Sequence, residues 1–192
     1  MSGAARRAIG LAGLAMILAL GACGGGGSEL QGIYQADTWT KNDTACDAEG
    51  PSILATQTET TFYIKQEDFL GSKFLNLNFC ADQAACATLA ADGDTIHLGM
   101  WGFDSGSDGD GWTSEFYSGF PDASNVCQGA YVTTTLTGTG GQSVRVEVRE
   151  VTAGGFPPDA DGFCADADGK AAAQGQPCTS LEVMSASFLA DI

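Results

Sequence analysis

From Ser143 to Val151 the residues alternate, with Val144, Val146 and Val148 on one side of an extended chain and Arg145, Glu147 and Arg149 on the other. Successive side chains of a strand point to opposite faces, so this segment buries an apolar face and keeps its charges wet only as a strand. Ala130 to Thr137, rich in Tyr, Val and Thr, precedes it, and Gly138-Thr139-Gly140-Gly141 between them tolerates the positive φ of a tight turn. The two segments read as a hairpin; no helical pattern follows the glycines, which argues against a phosphate-binding loop. Further strands are predicted at Gly32 to Thr40, Thr60 to Glu67, Lys73 to Cys80, Thr95 to Phe103, Thr113 to Phe120 and Leu181 to Leu189, making eight. Only Asp82 to Ala90 and Gly169 to Gln174 carry short helical character. Mostly sequential antiparallel strands over residues 30–192 predict one all-β domain. An up-and-down barrel, which leaves no exposed edges, is the expected form, and a β-sandwich is the alternative.

The leader is a separate signal. Arg6 and Arg7 precede an apolar run from Ala8 to Leu20, which is followed by the small residues Gly21 and Ala22. This is the layout of a secretory signal peptide over residues 1–22. No later stretch has the roughly 20 apolar residues of a membrane-spanning helix. Leu20-Gly21-Ala22-Cys23 resembles the lipobox of bacterial lipoproteins. The resemblance implies cleavage before Cys23 and acyl chains on its thiol and new amino group, a palmitate-type anchor that holds the domain to the membrane through lipid. Two or more chains are needed for firm anchoring. Residues 23–29, with Gly24 to Gly27 and Ser28, then form a flexible tether. The expected address is outside the cytoplasm, on the bacterial cell envelope. Gly24 lacks the acidic residue that marks inner-membrane retention in enteric lipoproteins, which favours the outer membrane.

Charge narrows the partners. The chain carries 24 acidic and 8 basic residues, a net charge of −16, and loss of Arg6 and Arg7 with the leader takes it to −18. No basic patch exists to neutralise phosphates, so nucleic acid is excluded as a partner. With Cys23 assigned to lipid, Cys46, Cys80, Cys86, Cys127, Cys164 and Cys178 remain, an even set that predicts three disulfides in an exported chain. Zinc is disfavoured by the absence of any C-x-x-C pair and by a single histidine. Among the many pairings that six cysteines allow, local staples Cys80–Cys86 and Cys164–Cys178 are the expectation, leaving Cys46 for Cys127.

Gly32-Ile33-Tyr34 and the strand count resemble the opening and architecture of lipocalin-type barrels, with Tyr34 where most of that family has Trp. The resemblance implies an interior that holds a small apolar ligand, and Trp39, Trp101, Trp112, Phe103, Phe116 and Tyr117 are the candidate lining. Asp104, Asp108, Asp110 and Glu115 stand at positions one, five, seven and twelve of a loop that resembles an EF-hand, although Gly106 occupies the third position and strands flank it. These four are the candidate calcium ligands; calcium is the one cofactor considered. Asp159, Asp161, Asp166 and Asp168 form a second acidic loop after Pro157 and Pro158. His97 is the sole imidazole, and without a Gly-x-Ser-x-Gly elbow or a free thiol no catalytic residue is assigned. A carboxylate-based hydrolase has no motif in its favour. The expected function is therefore small-ligand binding on a lipid-anchored envelope protein. A structural or partner-binding role, with calcium in its acidic loops, is the alternative.

Overall fold

A computed structural model describes residues 29–69, 72–92, 101–140 and 142–192. The leader, Cys23 and His97 lie outside these residues. In chain order the elements are β1 (Gly32–Asn42), β2 (Thr61–Phe69), β3 (Ser72–Cys80), α1 (Gln83–Ala91), β4 (Trp101–Phe103), β5 (Ser105–Ser107), β6 (Gly111–Pro121), β7 (Cys127–Gly140), β8 (Ser143–Phe156), α2 (Asp166–Ala173) and β9 (Cys178–Ala190). A single 3-10 turn, Leu54–Thr56, interrupts the connection from β1 to β2.

Every pairing is antiparallel, and the sheet runs β4-β3-β2-β1-β9-β8-β7-β6-β5. Its edge strands, β4 and β5, are separated in sequence by Asp104 alone, whose N–H donates to the Thr113 carbonyl of β6 at 3.1 Å. Residues 101–107 thus act as one bent strand, held by β3 through its first half and by β6 through its second. This brings the edges together and nearly closes the sheet into an up-and-down barrel, as expected. Nine strands stand among the described residues where eight were predicted, and of the strand expected from Thr95 to Phe103 only residues 101–103 are described. The extra one, Ser-Gly-Ser at 105–107, has no apolar alternation and becomes a strand only through its pairing with β6. Gly106 permits that bend: at φ +132 it lies so close to β6 that a Cβ would sit 2.1 Å from the Gly111 carbonyl oxygen. At the β7–β8 hairpin Gly138 and Gly140 extend β7, and among the described residues of the turn Gln142 is left-handed, at φ 65.

Alternation sorts the side chains as predicted. Val144 and Val146 are buried inside, while Arg145 and Arg149 reach ion pairs with Glu49 and Glu147 on the outer face. Half of the interior is filled by large groups: Tyr34, Phe62, Ile64, Leu75, Leu77, Phe103, Trp112, Leu136 and Met184. The register runs Trp39↔Met184↔Val146↔Leu136↔Trp112 across five strands, one continuous layer that plugs the barrel.

Both helices cover apolar patches on the outside. α1 covers Ile33 and Tyr63; Asp82 caps it by accepting the Ala85 N–H at 2.8 Å. α2 covers Tyr117, Tyr131 and Ala153. It begins at Asp166, three residues before the predicted start, so Asp166 and Asp168 belong to its first turn, where carboxylates favour the helix dipole, and not to an acidic loop.

The six cysteines are paired, but as Cys46–Cys178, Cys80–Cys86 and Cys127–Cys164. The expectations Cys164–Cys178 and Cys46–Cys127 are corrected by strand register. Asn42 at the end of β1 pairs with Leu181 of β9, which sets Cys46 beside Cys178. Phe156 pairs with Cys127, so the chain leaving β8 returns Cys164 to the start of β7. Each bridge pins one appended segment to the barrel: the β1–β2 loop, α1, or the approach to α2. Three disulfides fit an oxidising, exported environment. No helix among the described residues is long and apolar enough to cross a membrane.

Candidate functional site

Beyond the plugging layer the inward side chains become smaller, with Ser118, Ala130 and Thr134 facing a space that no protein group fills. The result is an open cup of about 660 Å³ at one end of the barrel. Its floor is an aromatic stack of Trp39 on Phe79, with ring centroids 5.2 Å apart and planes 13° from parallel. Val132, Val148, Phe116 and Ile53 supply apolar walls, and Lys41, Glu59, Glu150 and Glu182 supply charge.

Trp39 reaches the floor because β1 has an irregularity. Tyr34 and Ala36 face inward, and strict alternation would then turn Trp39 outward. The register slips between Ala36 and Thr38, placing one extra residue, Asp37, in β1, and everything beyond changes face. Trp39 and Lys41 therefore line the interior. The Trp39 Nε1–H donates to Glu182 Oε1 at 2.6 Å. Lys41, opposite Glu182 in register, places its Nζ 3.2 Å from Asp43 Oδ1. Its ammonium is held above the ordinary lysine value chiefly by the Asp43 hydrogen bond; partial burial opposes this, and the charges of Asp43, Glu182 and Glu150 add to it. The segment from Pro51 to Ile53 runs along β1, with the Lys41 N–H on the Pro51 carbonyl at 3.1 Å and the Ile53 N–H on the Trp39 carbonyl at 2.8 Å. The Cys46–Cys178 bridge ties the same connection to β9.

Of the aromatic residues expected to line a cavity, Trp39 and Phe116 do so. Phe103 and Trp112 lie instead in the filled half, and the Trp112 Nε1–H donates to Asp108 Oδ1 at 2.7 Å. Tyr117 faces outward beneath α2 because it follows the inward Phe116 by one residue on β6. The backbone of Trp101 pairs with Leu77; its side chain lies outside the described residues. Phe79, Val132, Val148, Lys41, Glu150 and Glu182 were not foreseen. A signal for two of them was present: Glu150 continues the inward series 144-146-148, and Glu182 continues backward from Met184 and Ala186.

The expected calcium loop is a hairpin, and its carboxylates diverge. Asp108 accepts from the Trp112 indole and from the Glu29 N–H. Asp110 accepts from Ser107 Oγ at 2.9 Å. Glu115 accepts from Lys170 and from the Tyr131 hydroxyl, the latter at 2.9 Å, and with Asp104 it borders a small niche on the outer face. The physical reason is the strand state of residues 105–107 and 111–121, which spreads side chains along two faces where an EF-hand loop would wrap them round a point. Asp159 accepts backbone N–H groups of its own turn, from Asp161 at 3.0 Å and Phe163 at 2.8 Å. Among the described residues no three His, Cys, Asp or Glu side chains converge as metal ligands.

At the opposite end of the barrel the entering chain packs against the core and borders a smaller depression of about 390 Å³, with Tyr34, Asp108 and Phe188 in its lining. Leu30 is buried in the core cluster, and the Tyr34 hydroxyl donates to its carbonyl at 3.0 Å. Burial, with the charge of Asp108 adding, pushes the Tyr34 phenol up to about 12. Residue 29 therefore enters at the end away from the cup. Compared with known protein families, curated proteins and solved structures, the chain matches none.

Proposed function

We propose that this protein is a lipid-anchored lipoprotein of the bacterial cell envelope, outer membrane favoured, whose barrel holds a small ligand with an apolar body. The observation that carries the reading is the cup: a concave site of about 660 Å³ with an aromatic floor and a few polar groups at its sides, the usual composition of a small-molecule site. The leader supports the anchor, since Cys23 ends a lipobox and glycines follow it. The entry of residue 29 at the end away from the cup accords with it, because a tether from Cys23 would join the barrel opposite the cup and leave its mouth unobstructed.

The test is co-purification. The full chain, extracted from its host's envelope, is denatured and the released organic compounds are identified by mass spectrometry beside an Ala130→Trp variant that fills the cup. A compound carried by the native chain and absent from the variant is expected. A native chain that carries nothing beyond what the variant carries overturns ligand binding. Partner binding is the second reading, favoured by Phe120 and Phe163, which are 83% and 70% exposed. Acyl release from the wild-type chain, and none from Cys23→Ser, checks the anchor separately.

A further inference from the structure

We propose that the cup selects organic cations: small molecules with an apolar, preferably aromatic, body and a positively charged amine. This rests on the ligand-binding reading above and names the class of ligand.

Among the lining residues, Lys41 is the one cation, against the carboxylates of Glu59, Glu150 and Glu182. Lys41 is already engaged, with its Nζ 3.2 Å from Asp43 and Glu182 opposite it in register. An anionic ligand would meet three carboxylates and a lysine whose charge is spoken for. A neutral apolar ligand would strip water from those carboxylates and offer nothing to offset it beyond the Trp39 hydrogen bond that Glu182 already holds. A cation compensates them, and the net charge of −16 raises its local concentration at the mouth. The Trp39 and Phe79 stack beneath suits the apolar body, and indole is the aromatic surface most favourable to a nearby cation. A bare metal ion fits less well, because no three acidic side chains among the described residues converge to ligate one. The carboxylates instead border a space the size of an organic molecule, Glu150 and Glu182 from the paired strands β8 and β9 and Glu59 from the connection before β2.

Three probes with one phenyl body separate the charge: 2-phenylethylammonium, 2-phenylethanol and phenylacetate. Each is titrated into the full chain in non-ionic detergent by calorimetry, with tryptophan fluorescence in parallel. The ammonium is expected to bind at least about tenfold more tightly than the alcohol, a difference of about 1.4 kcal/mol, and phenylacetate to bind least. In the Glu150→Gln, Glu182→Gln double variant the preference should collapse while the alcohol still binds; glutamine at 182 keeps an acceptor oxygen for the Trp39 indole. Binding of the alcohol or phenylacetate as tight as that of the ammonium overturns the cation class and leaves the cup as a ligand site. No binding by any probe also overturns it, and the co-purification experiment then decides the cup independently.

Discussion

At Glu115 two donors meet one carboxylate. Lys170 and the Tyr131 hydroxyl both donate to it, and the Lys170 hydrogen bond, followed by that of Tyr131, holds its carboxyl below the ordinary value of 4.5. A carboxyl lowered in the folded state stabilises the protein above its unfolded pKa, and that contribution is lost as pH falls through the folded value. The wild type should therefore melt above Glu115→Gln at pH 7, with the two melting temperatures converging as pH drops below about 4.5. The gap should be small, about 1–2 °C, because the side chains of the ion pair are 55% and 40% exposed. Thermal melts of both chains from pH 7 to pH 3 check this; a gap that widens in acid would contradict it. The sequence had suggested this residue as a calcium ligand. The partner that claims it, Lys170, is 55 positions away on a helix whose docking no local pattern announces.

The two helices show how elements are attached to a barrel that is already paired. α2 lies so close to β6 that a Cβ on Gly169 would sit 2.5 Å from Tyr117 Cδ2 and 2.8 Å from its Cβ. Helix propensity favours alanine over glycine here by about 1 kcal/mol. Overpacking opposes it, since the Tyr117 ring is buried and its hydroxyl donates to the Ala153 carbonyl at 3.3 Å. We expect the clash to win, so that Gly169→Ala destabilises by about 1–3 kcal/mol in urea unfolding; a stabilised variant would show that α2 is free to shift. Element positions were largely legible in the sequence because alternation and turn chemistry are local. The exceptions were β5, made of Ser105, Gly106 and Ser107, and the start of α2, both set by neighbours and not by their own residues.

For the molecule as a whole, the disulfides close loops of very different length. Cys46–Cys178 spans 132 residues, Cys127–Cys164 spans 37 and Cys80–Cys86 spans 6. If restriction of the unfolded chain dominates, replacing each pair by serine should cost about 5, 4 and 2 kcal/mol respectively. Urea unfolding of the three double variants tests the order, and a non-reduced peptide map tests the pairing. An equal cost for the longest and shortest loops would place the stabilisation in native contacts instead.

What the sequence determined alone is what short-range physics controls. Alternation within each strand chose the buried face, glycines and polar clusters marked the turns, and an even count of cysteines after Cys23 implied disulfides. The tertiary structure decided everything that depends on partners distant along the chain. The pairing of β1 with β9 sets Cys46 beside Cys178. The bend through Asp104 nearly closes the barrel. The extra residue at Asp37 turns Trp39 and Lys41 into the cup. A one-residue slip reverses every later side chain, and its position depends on which strand lies opposite. The cup was for that reason only partly readable: Trp39 and Phe116 were in view as aromatics and alternation alone continued inward to Glu150, but Lys41 acquired its inward direction only through the slip at Asp37.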